Sequence, residues 1–374
     1  MKDVFVVGDH IISPLGIGSQ VNVEQITAGN TAIRRVDDQQ LCAHPFFAAL
    51  IDDSQWDGEI ENTQRYTRLE KLFILSLQAL IDQYRIPLDR RTLVLLSTTK
   101  GNVSLLHSPM GRTFPKERVH LAVMADEIQR YFGLENRIIT ISNACISGSL
   151  AISVARQLLQ GNDYERALVV GGDEISKFIV SGFDAFQALA DEPCRPFDRD
   201  RNGLNLGEAI AAMYLSKSPT DGAINVSGTS SYNDANHISG PSRTGEGLYQ
   251  SIRAALIEAG EPTVDFISAH GTATPYNDEM EAIALQRCKL SDIPLHSLKG
   301  YYGHTLGASG LLETILGIHA LKNNLLIPSI GFEHQGTTQR LNIIKKNTPQ
   351  LLNTFLKTAS GFGGCNIASV FKKI

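Results

Sequence analysis

Three observations predict an α/β fold whose strands are buried on both faces: short apolar runs bounded by glycine and small residues, longer helical patterns between them, and one strand–turn–helix pattern that occurs twice. The apolar runs at 4–7, 93–97, 137–142, 167–170, 224–227, 266–269, 296–297 and 354–359 read as strands. Helical periodicity covers 67–83, 124–132, 148–159, 247–259, 278–286 and 308–322. The repeated pattern spans 138–160 and again 298–323, each time a sharp turn feeding a helix that starts in Gly, Ala and Ser. Small residues let helices approach closely, so two such helices back to back would present Cys145 and His304 together. Any α/β protein repeats strand–turn–helix units, so duplication and coincidence both stay open at this point.

With 374 residues the chain exceeds the size at which one hydrophobic core stops growing, and two packed halves are expected. Apolar residues at 43% and charged residues at 20% are ordinary for a globular protein. A formal charge of −5 makes a weak field, and no lysine and arginine run tracks a phosphate backbone, so no nucleic-acid partner is expected. The five cysteines, Cys42, Cys145, Cys194, Cys288 and Cys365, have neither disulfide-framework nor zinc-site spacing, which suits a reducing compartment. The opening MKDVFVVGDH enters a strand pattern without the features of a secretion signal, and no apolar run approaches membrane-spanning length. A cytoplasmic location is expected.

Cys145 sits in SNACISGS, after a β-branched strand and at or before the first turn of a helix, as in a nucleophile elbow. A helix N-terminus favours thiolate over thiol, and the thiolate is the reactive species. On residue type alone a buried structural cysteine is the competing reading. His270 closes the strand FISAH and opens GTATP, where Thr272 and Thr274 could bind an extended polar ligand. Side chains at the carboxyl ends of parallel strands commonly face a ligand crevice. In SLKGYYGHTLGASGLLE, Lys299 precedes His304 by five residues and Glu313 follows it by nine. A lysine and a carboxylate brought into a buried site must neutralise each other, so Lys299 is expected to pair with Glu313 or Asp278. The run ASGFGGCN sets three glycines around Phe362, among them Gly363, and lets the backbone approach a ligand closely. No GxxxxGK[ST] or GxGxxG pattern follows a strand, which argues against nucleotide binding. Two histidines far apart without a recognisable third ligand argue against zinc, so no metal is expected.

NACISG, AHGTATPYND, LKGYYGHTLGASGLLE and SGFGGCN, in this order, together resemble the β-ketoacyl-acyl-carrier-protein synthases. VFVVGDHIISPLG and RPFDRDRNGLNLGE extend the resemblance over essentially the whole chain. It implies a thiolase-like fold, two pseudo-symmetric α/β halves in a five-layer αβαβα arrangement. The halves would be 1–218, carrying the nucleophilic cysteine, and 219–374, carrying both histidines and the lysine. Residue by residue, Cys145 matches the acylated nucleophile, His270 and His304 the histidine pair, and Lys299 the lysine beside them. Asp278 and Glu313 match supporting carboxylates, and Thr272 and Thr274 the contacts to phosphopantetheine. Phe362 matches the gate-loop phenylalanine, followed by Gly363; the Phe362 N–H, with that of Cys145, would form the oxyanion hole.

The implied activity is decarboxylative condensation of an acyl thioester with malonyl-acyl carrier protein, in fatty acid, polyene or polyketide biosynthesis. No cofactor is implied beyond phosphopantetheine-borne substrates. The implied partners are acyl carrier protein and a second subunit, in a homodimer or a heterodimer with a related synthase-like chain. The alternatives are a non-catalytic chain-length-factor-like subunit, which usually lacks the cysteine, and an acyltransferase relative using the same cysteine. Ser360 stands where a phenylalanine is common, Cys365 replaces a threonine, Asn143 and Ile146 flank the nucleophile unusually, and STTKGNVS replaces a glycine-rich segment at 97–104. These departures point to a specialised substrate, and the short chain to trimmed loops.

Overall fold

The computed structural model describes residues 3–56, 64–107, 113–235 and 237–374. An eleven-stranded mixed sheet runs through them. Its first part contains β1 (Phe5–Ser13), β2 (Thr92–Ser97), β3 (Ile139–Ile141), β4 (Arg166–Asp173) and β5 (Ala209–Ser216). Its second part contains β6 (Ile224–Asn233), β7 (Phe266–Ser268), β8 (Leu295–His296), β9 (Thr354–Gly361) and β10 (Cys365–Lys373). A short strand, Gly16–Ile17, folds back on β1. The spatial order is β3-β2-β4-β5-β1 in the first part and β8-β7-β9-β10-β6 in the second. The two orders are identical with every number raised by five, and the parallel and antiparallel pairings match position by position. β1 and β6 join the parts antiparallel through Phe5 to Asn225 and Val6 to Ile224.

The helices are α1 (Ser19–Thr27), α2 (Arg68–Tyr84), α3 (Leu121–Phe132), α4 (Ser147–Gln160), α5 (Lys177–Ala185), α6 (Glu246–Glu258), α7 (Pro275–Arg287), α8 (Lys299–Tyr302) and α9 (Ser309–Asn323). α2 starts at a capping box in which the Thr67 hydroxyl accepts the Glu70 N–H at 3.2 Å and the Glu70 carboxylate accepts the Thr67 N–H at 2.9 Å. Successive strand residues serve opposite cores. Leu93 and Leu95 pack with α4 and α9, whereas Val94 and Leu96 pack with α2 and α3. In the second part Phe266 and Phe355 face α9, whereas Ile267 and Leu356 face α6 and α7. Outer helices, sheet, central helices, sheet and outer helices make five layers, as the thiolase-like fold requires.

Each expected strand and helix is present, with ends displaced by a few residues. Two of the ten strands β1–β10 escaped the sequence reading, as did the short strands Gly16–Ile17, Arg34–Val36, Phe46–Ala49, Leu206–Gly207, Leu325–Leu326 and Thr348–Pro349. β5 reads AIAAMYLS, and alanine gives no β signal. β10 begins at Cys365 directly after the glycine turn, where no boundary is visible. α1, α5 and the one-turn α8 were also not expected.

The central pair owes its spacing to glycine. A Cβ on Gly148 would lie 2.8 Å from the Leu311 backbone nitrogen and 2.9 Å from the Gly307 carbonyl oxygen. A Cβ on Gly310 would lie 2.8 Å from the Ser149 nitrogen. α4 and α9 therefore touch backbone to backbone. Gly148→Val should lower unfolding free energy by about 1–3 kcal/mol through overpacking. An unchanged denaturant midpoint would contradict this close approach.

Candidate active site

The site forms where α4 and α9 begin. Cys145 lies in the turn between β3 and α4, and Ala144 before it is held at φ +45°. Ser147 stitches that turn: its hydroxyl accepts the Asn143 N–H at 2.8 Å and donates to the Ala144 carbonyl at 2.6 Å. A side chain at Gly361 would come within 3.0 Å of the Cys145 nitrogen, so the end of β9 passes directly over the nucleophile turn. Cys145 is 7% exposed. Burial pushes its thiol up to about 12, with Cys365 adding to the rise and Lys299 opposing it. Burial therefore acts against the thiolate that the helix terminus favours.

His270 follows β7. Its N–H and that of Gly271 both donate to Glu281, at 2.9 and 2.8 Å. Glu281 also accepts the Thr358 hydroxyl at 2.6 Å. This carboxylate was missed in the sequence, although Asp278 and Glu281 occupy one face of α7 at helical spacing. Asp278 does not pair with Lys299. It accepts the Phe197 N–H at 2.7 Å and the Ala273 N–H at 3.2 Å and lies 3.8 Å from Arg201, bracing the loop before α7. Its burial raises its pKa to about 6.

His304 leaves α8 and is clamped by the 205–207 segment, donating its N–H to the Asn205 carbonyl at 2.7 Å and accepting the Gly207 N–H at 3.0 Å. Asp173, also missed, accepts the Gly307 N–H at 2.8 Å and the Thr98 hydroxyl at 2.7 Å. The unusual STTKGNVS segment is thereby tied to the turn that carries His304. The His270 and His304 rings stand edge to face with centroids 5.4 Å apart. Both ring nitrogens of His304 are buried and have no hydrogen-bond partner among the described residues. Burial drives both imidazoles below their usual pKa, reinforced by the positive charge of Lys299, and His304 falls to about 3. Both are neutral at pH 7.

Behind them Lys299 Nζ lies 2.6 Å from Glu313 Oε1, 2.5 Å from the His270 carbonyl and 3.4 Å from His270 Nδ1. An ammonium can only donate, so it selects the His270 tautomer with its proton on Nε2. Glu313 is the partner that the sequence offered for Lys299. A second buried cation, Lys357 on β9, reaches Glu313 Oε2 at 2.6 Å and was not anticipated. Burial alone would raise the Glu313 pKa, but the two ammonium groups hold it down to about 2.

Cys145, His270 and His304 open on one cavity of about 390 Å³, with Thr272, Thr274, Phe362 and Gly363 in its wall. The Thr272 and Thr274 hydroxyls bond each other at 2.8 Å. Phe362, 37% exposed, lies between Phe183 and Phe186, with ring centroids 5.6 and 5.4 Å away. Gly363 gives its N–H to the Ile238 carbonyl at 2.7 Å, so that amide serves the loop's own anchorage and not an oxyanion. Ser360 donates to Asn366 at 2.7 Å, and Asn366 donates to Asp234 at 3.0 Å, making the wall polar where the family commonly has a phenylalanine.

Residues 1–220 match the family model described as the β-ketoacyl synthase N-terminal domain, and 223–333 the β-ketoacyl synthase C-terminal domain. The chain is 27% identical to 3-oxoacyl-[acyl-carrier-protein] synthase 2 of Rhizobium meliloti, covering 100% of this chain and 99% of that protein. It is 28% identical to the tetracenomycin polyketide synthase ketoacyl synthase alpha subunit of Streptomyces glaucescens, covering 100% and 97%. The ketosynthase ApeO of Xenorhabdus doucetiae, solved with its chain length factor ApeC, shares the fold with a TM-score of 0.90 at 23% identity, covering 100% and 98%. A β-ketoacyl synthase from Burkholderia phymatum superposes with a TM-score of 0.88 at 24% identity over 100% of both chains. No helix among the described residues is long and apolar enough to cross a membrane. On its sequence matches over both halves, the chain belongs to the β-ketoacyl synthase family of condensing enzymes.

Proposed function

We propose that this chain is a 3-oxoacyl-acyl-carrier-protein synthase that condenses an acyl thioester with malonyl-acyl carrier protein, in fatty acid, polyene or polyketide biosynthesis. The observation that carries this reading is one cavity shared by a buried thiol and two uncharged imidazoles, backed by ammonium groups. The Cys145 sulfur attacks the incoming thioester carbonyl. The sulfur–acyl bond to Cys145 forms, the bond to the phosphopantetheine thiol breaks, and that thiol leaves with the proton that Cys145 gives up. Backbone N–H groups of Cys145 and Phe362 stabilise the tetrahedral oxyanion, consistent with the passage of Gly361 over the nucleophile turn.

The malonyl unit then loses CO2, and its thioester oxygen takes up the negative charge of the enolate. Neutral His270 and His304 donate N–H groups to that oxygen, worth about 3–4 kcal/mol per donor. The enolate carbon attacks the acyl carbonyl, and Cys145 leaves as the sulfur anion, which takes one proton from water and returns to the thiol. No metal or redox cofactor enters this balance, and Thr272 and Thr274 bind the phosphopantetheine arm. A cytoplasmic enzyme with acyl carrier protein as partner fits this reading. The chain length factor beside the Xenorhabdus ketosynthase supports pairing with a related subunit, with a homodimer as the alternative. Cys145 and both histidines favour a catalytic chain over a chain-length-factor-like one.

Cys145→Ala should abolish transfer of a labelled acyl group from acyl carrier protein with the circular dichroism spectrum unchanged; continued labelling of the variant would refute the nucleophile. His304→Ala should slow malonyl decarboxylation by about 10²–10³-fold, more than it slows acyl loading. Equal losses in both steps would contradict an enolate donor, and loading without any decarboxylation by the wild type would point to an acyltransferase. Because burial raises the Cys145 thiol, its alkylation by iodoacetamide should climb with pH through the neutral range. A plateau already reached below pH 7 would mean a preformed thiolate.

A further inference from the structure

Lys357 has no part in the bond-making just described, and it lines no part of the cavity. It is nonetheless one of the largest fully buried side chains, 1% exposed. Its Nζ reaches Glu313 Oε2 at 2.6 Å while Lys299 Nζ reaches Glu313 Oε1 at 2.6 Å. Its other contacts are the carbonyls of Thr358 at 2.8 Å, Ser268 at 3.2 Å and Ala269 at 3.3 Å. Ser268 and Ala269 immediately precede His270, so Lys357 holds both the carboxylate and the strand end that orient the site. A buried ammonium is costly unless paired, and four oxygens around its three N–H donors leave none of them without a partner.

One carboxylate now faces two ammonium groups, so the single negative charge of Glu313 is divided between Lys299 and Lys357. The next carboxylate, Glu281, takes the His270 and Gly271 amides and the Thr358 hydroxyl, neutral donors that leave its charge in place, and it acts on Lys357 from the α7 side. We propose that Lys357 is a positioning residue for the condensation: by sharing Glu313 with Lys299 it keeps the Lys299 ammonium against His270 and maintains a positive field behind both imidazoles. This rests on the condensation proposed above. The groups facing His270 are Lys299 from α8, His304 from the turn that follows, Glu281 from α7, Glu313 from α9 and Lys357 from β9. After burial, Lys299 and Lys357 are both among the causes that lower the pKa of His270 and of His304. A lone Lys299–Glu313 pair would be locally neutral and would exert less of this effect.

Lys357→Met removes the charge and keeps most of the volume. Taking away a cation takes away a lowering influence, so the pKa of His270 and of His304 should rise. The acid limb of malonyl decarboxylation should then move to higher pH. We would titrate the full chain with 13C-labelled histidine by NMR, identifying the two signals by their loss in His270→Asn and His304→Asn, and record decarboxylation against pH. Upward displacement of both titrations, with Lys357→Arg returning them toward the wild type, is the expected result. Titrations and acid limbs that superimpose on the wild type overturn the role of Lys357 and leave the condensation standing. A wild type that does not decarboxylate malonyl-acyl carrier protein overturns both. Should Lys357→Met not fold, Lys357→Gln, whose amide still donates to Glu313, is read by the same criteria.

Discussion

The backbone-to-backbone contact of α4 with α9 is the constraint from which the rest follows. Helices packed through ordinary side chains lie 8–10 Å apart between axes. Gly148 against the Leu311 nitrogen and Gly310 against the Ser149 nitrogen leave no room for a Cβ, so these helices approach more closely at their starts. The turns that precede them carry Cys145 and His304, and close approach of the helices is what brings both onto one cavity. The two parts of the sheet then pack on either side of this pair, and the outer helices close the cores.

Charge is handled by the same economy of space. Lys299, Lys357, Glu313 and Glu281 are all buried, yet each ionic side chain has partners within hydrogen-bond distance. His304 is the contrast, with two buried ring nitrogens that have no hydrogen-bond partner among the described residues. Buried polar atoms are seldom left unpaired, and this exception at the cavity wall leaves two bonding positions open to whatever occupies the cavity. Burial raises the Cys145 thiol and lowers both imidazoles, so each of the three groups that face the cavity is disfavoured in its charged form.

The cavity wall differs from the family pattern in a connected way. Ser360, Asn366 and Asp234 form a chain of hydrogen bonds where a bulky ring is common, while Phe183 and Phe186 flank the gate-loop ring of Phe362. Loss of one aromatic surface on β9 is accompanied by aromatic packing from α5 and its end. The polar wall and the aromatic packing of Phe362 give the departure at Ser360 a physical setting that residue identity alone lacked.

Much of this protein was legible in its sequence because the relevant signals are local. Strand β2 and helix α2 follow from hydrophobic period, the elbow at Cys145 from a strand running into a small-residue helix, and the Lys299–Glu313 pair from the cost of burying either alone. What the sequence could not decide depends on residues far apart in the chain. Alanine-rich β5 is a strand only because its neighbours on both sides supply hydrogen bonds. Glu281, Asp173 and Lys357 acquire roles only when β4, α7 and β9 converge on the histidines. Asp278, the alternative partner offered for Lys299, braces a loop instead, because spacing cannot distinguish a loop brace from an ion pair. The protonation of Cys145 also belonged to tertiary structure, since the helix terminus is a local feature while burial is the sum of everything packed around it. Local sequence determined which groups were available, and packing decided which of them carry charge.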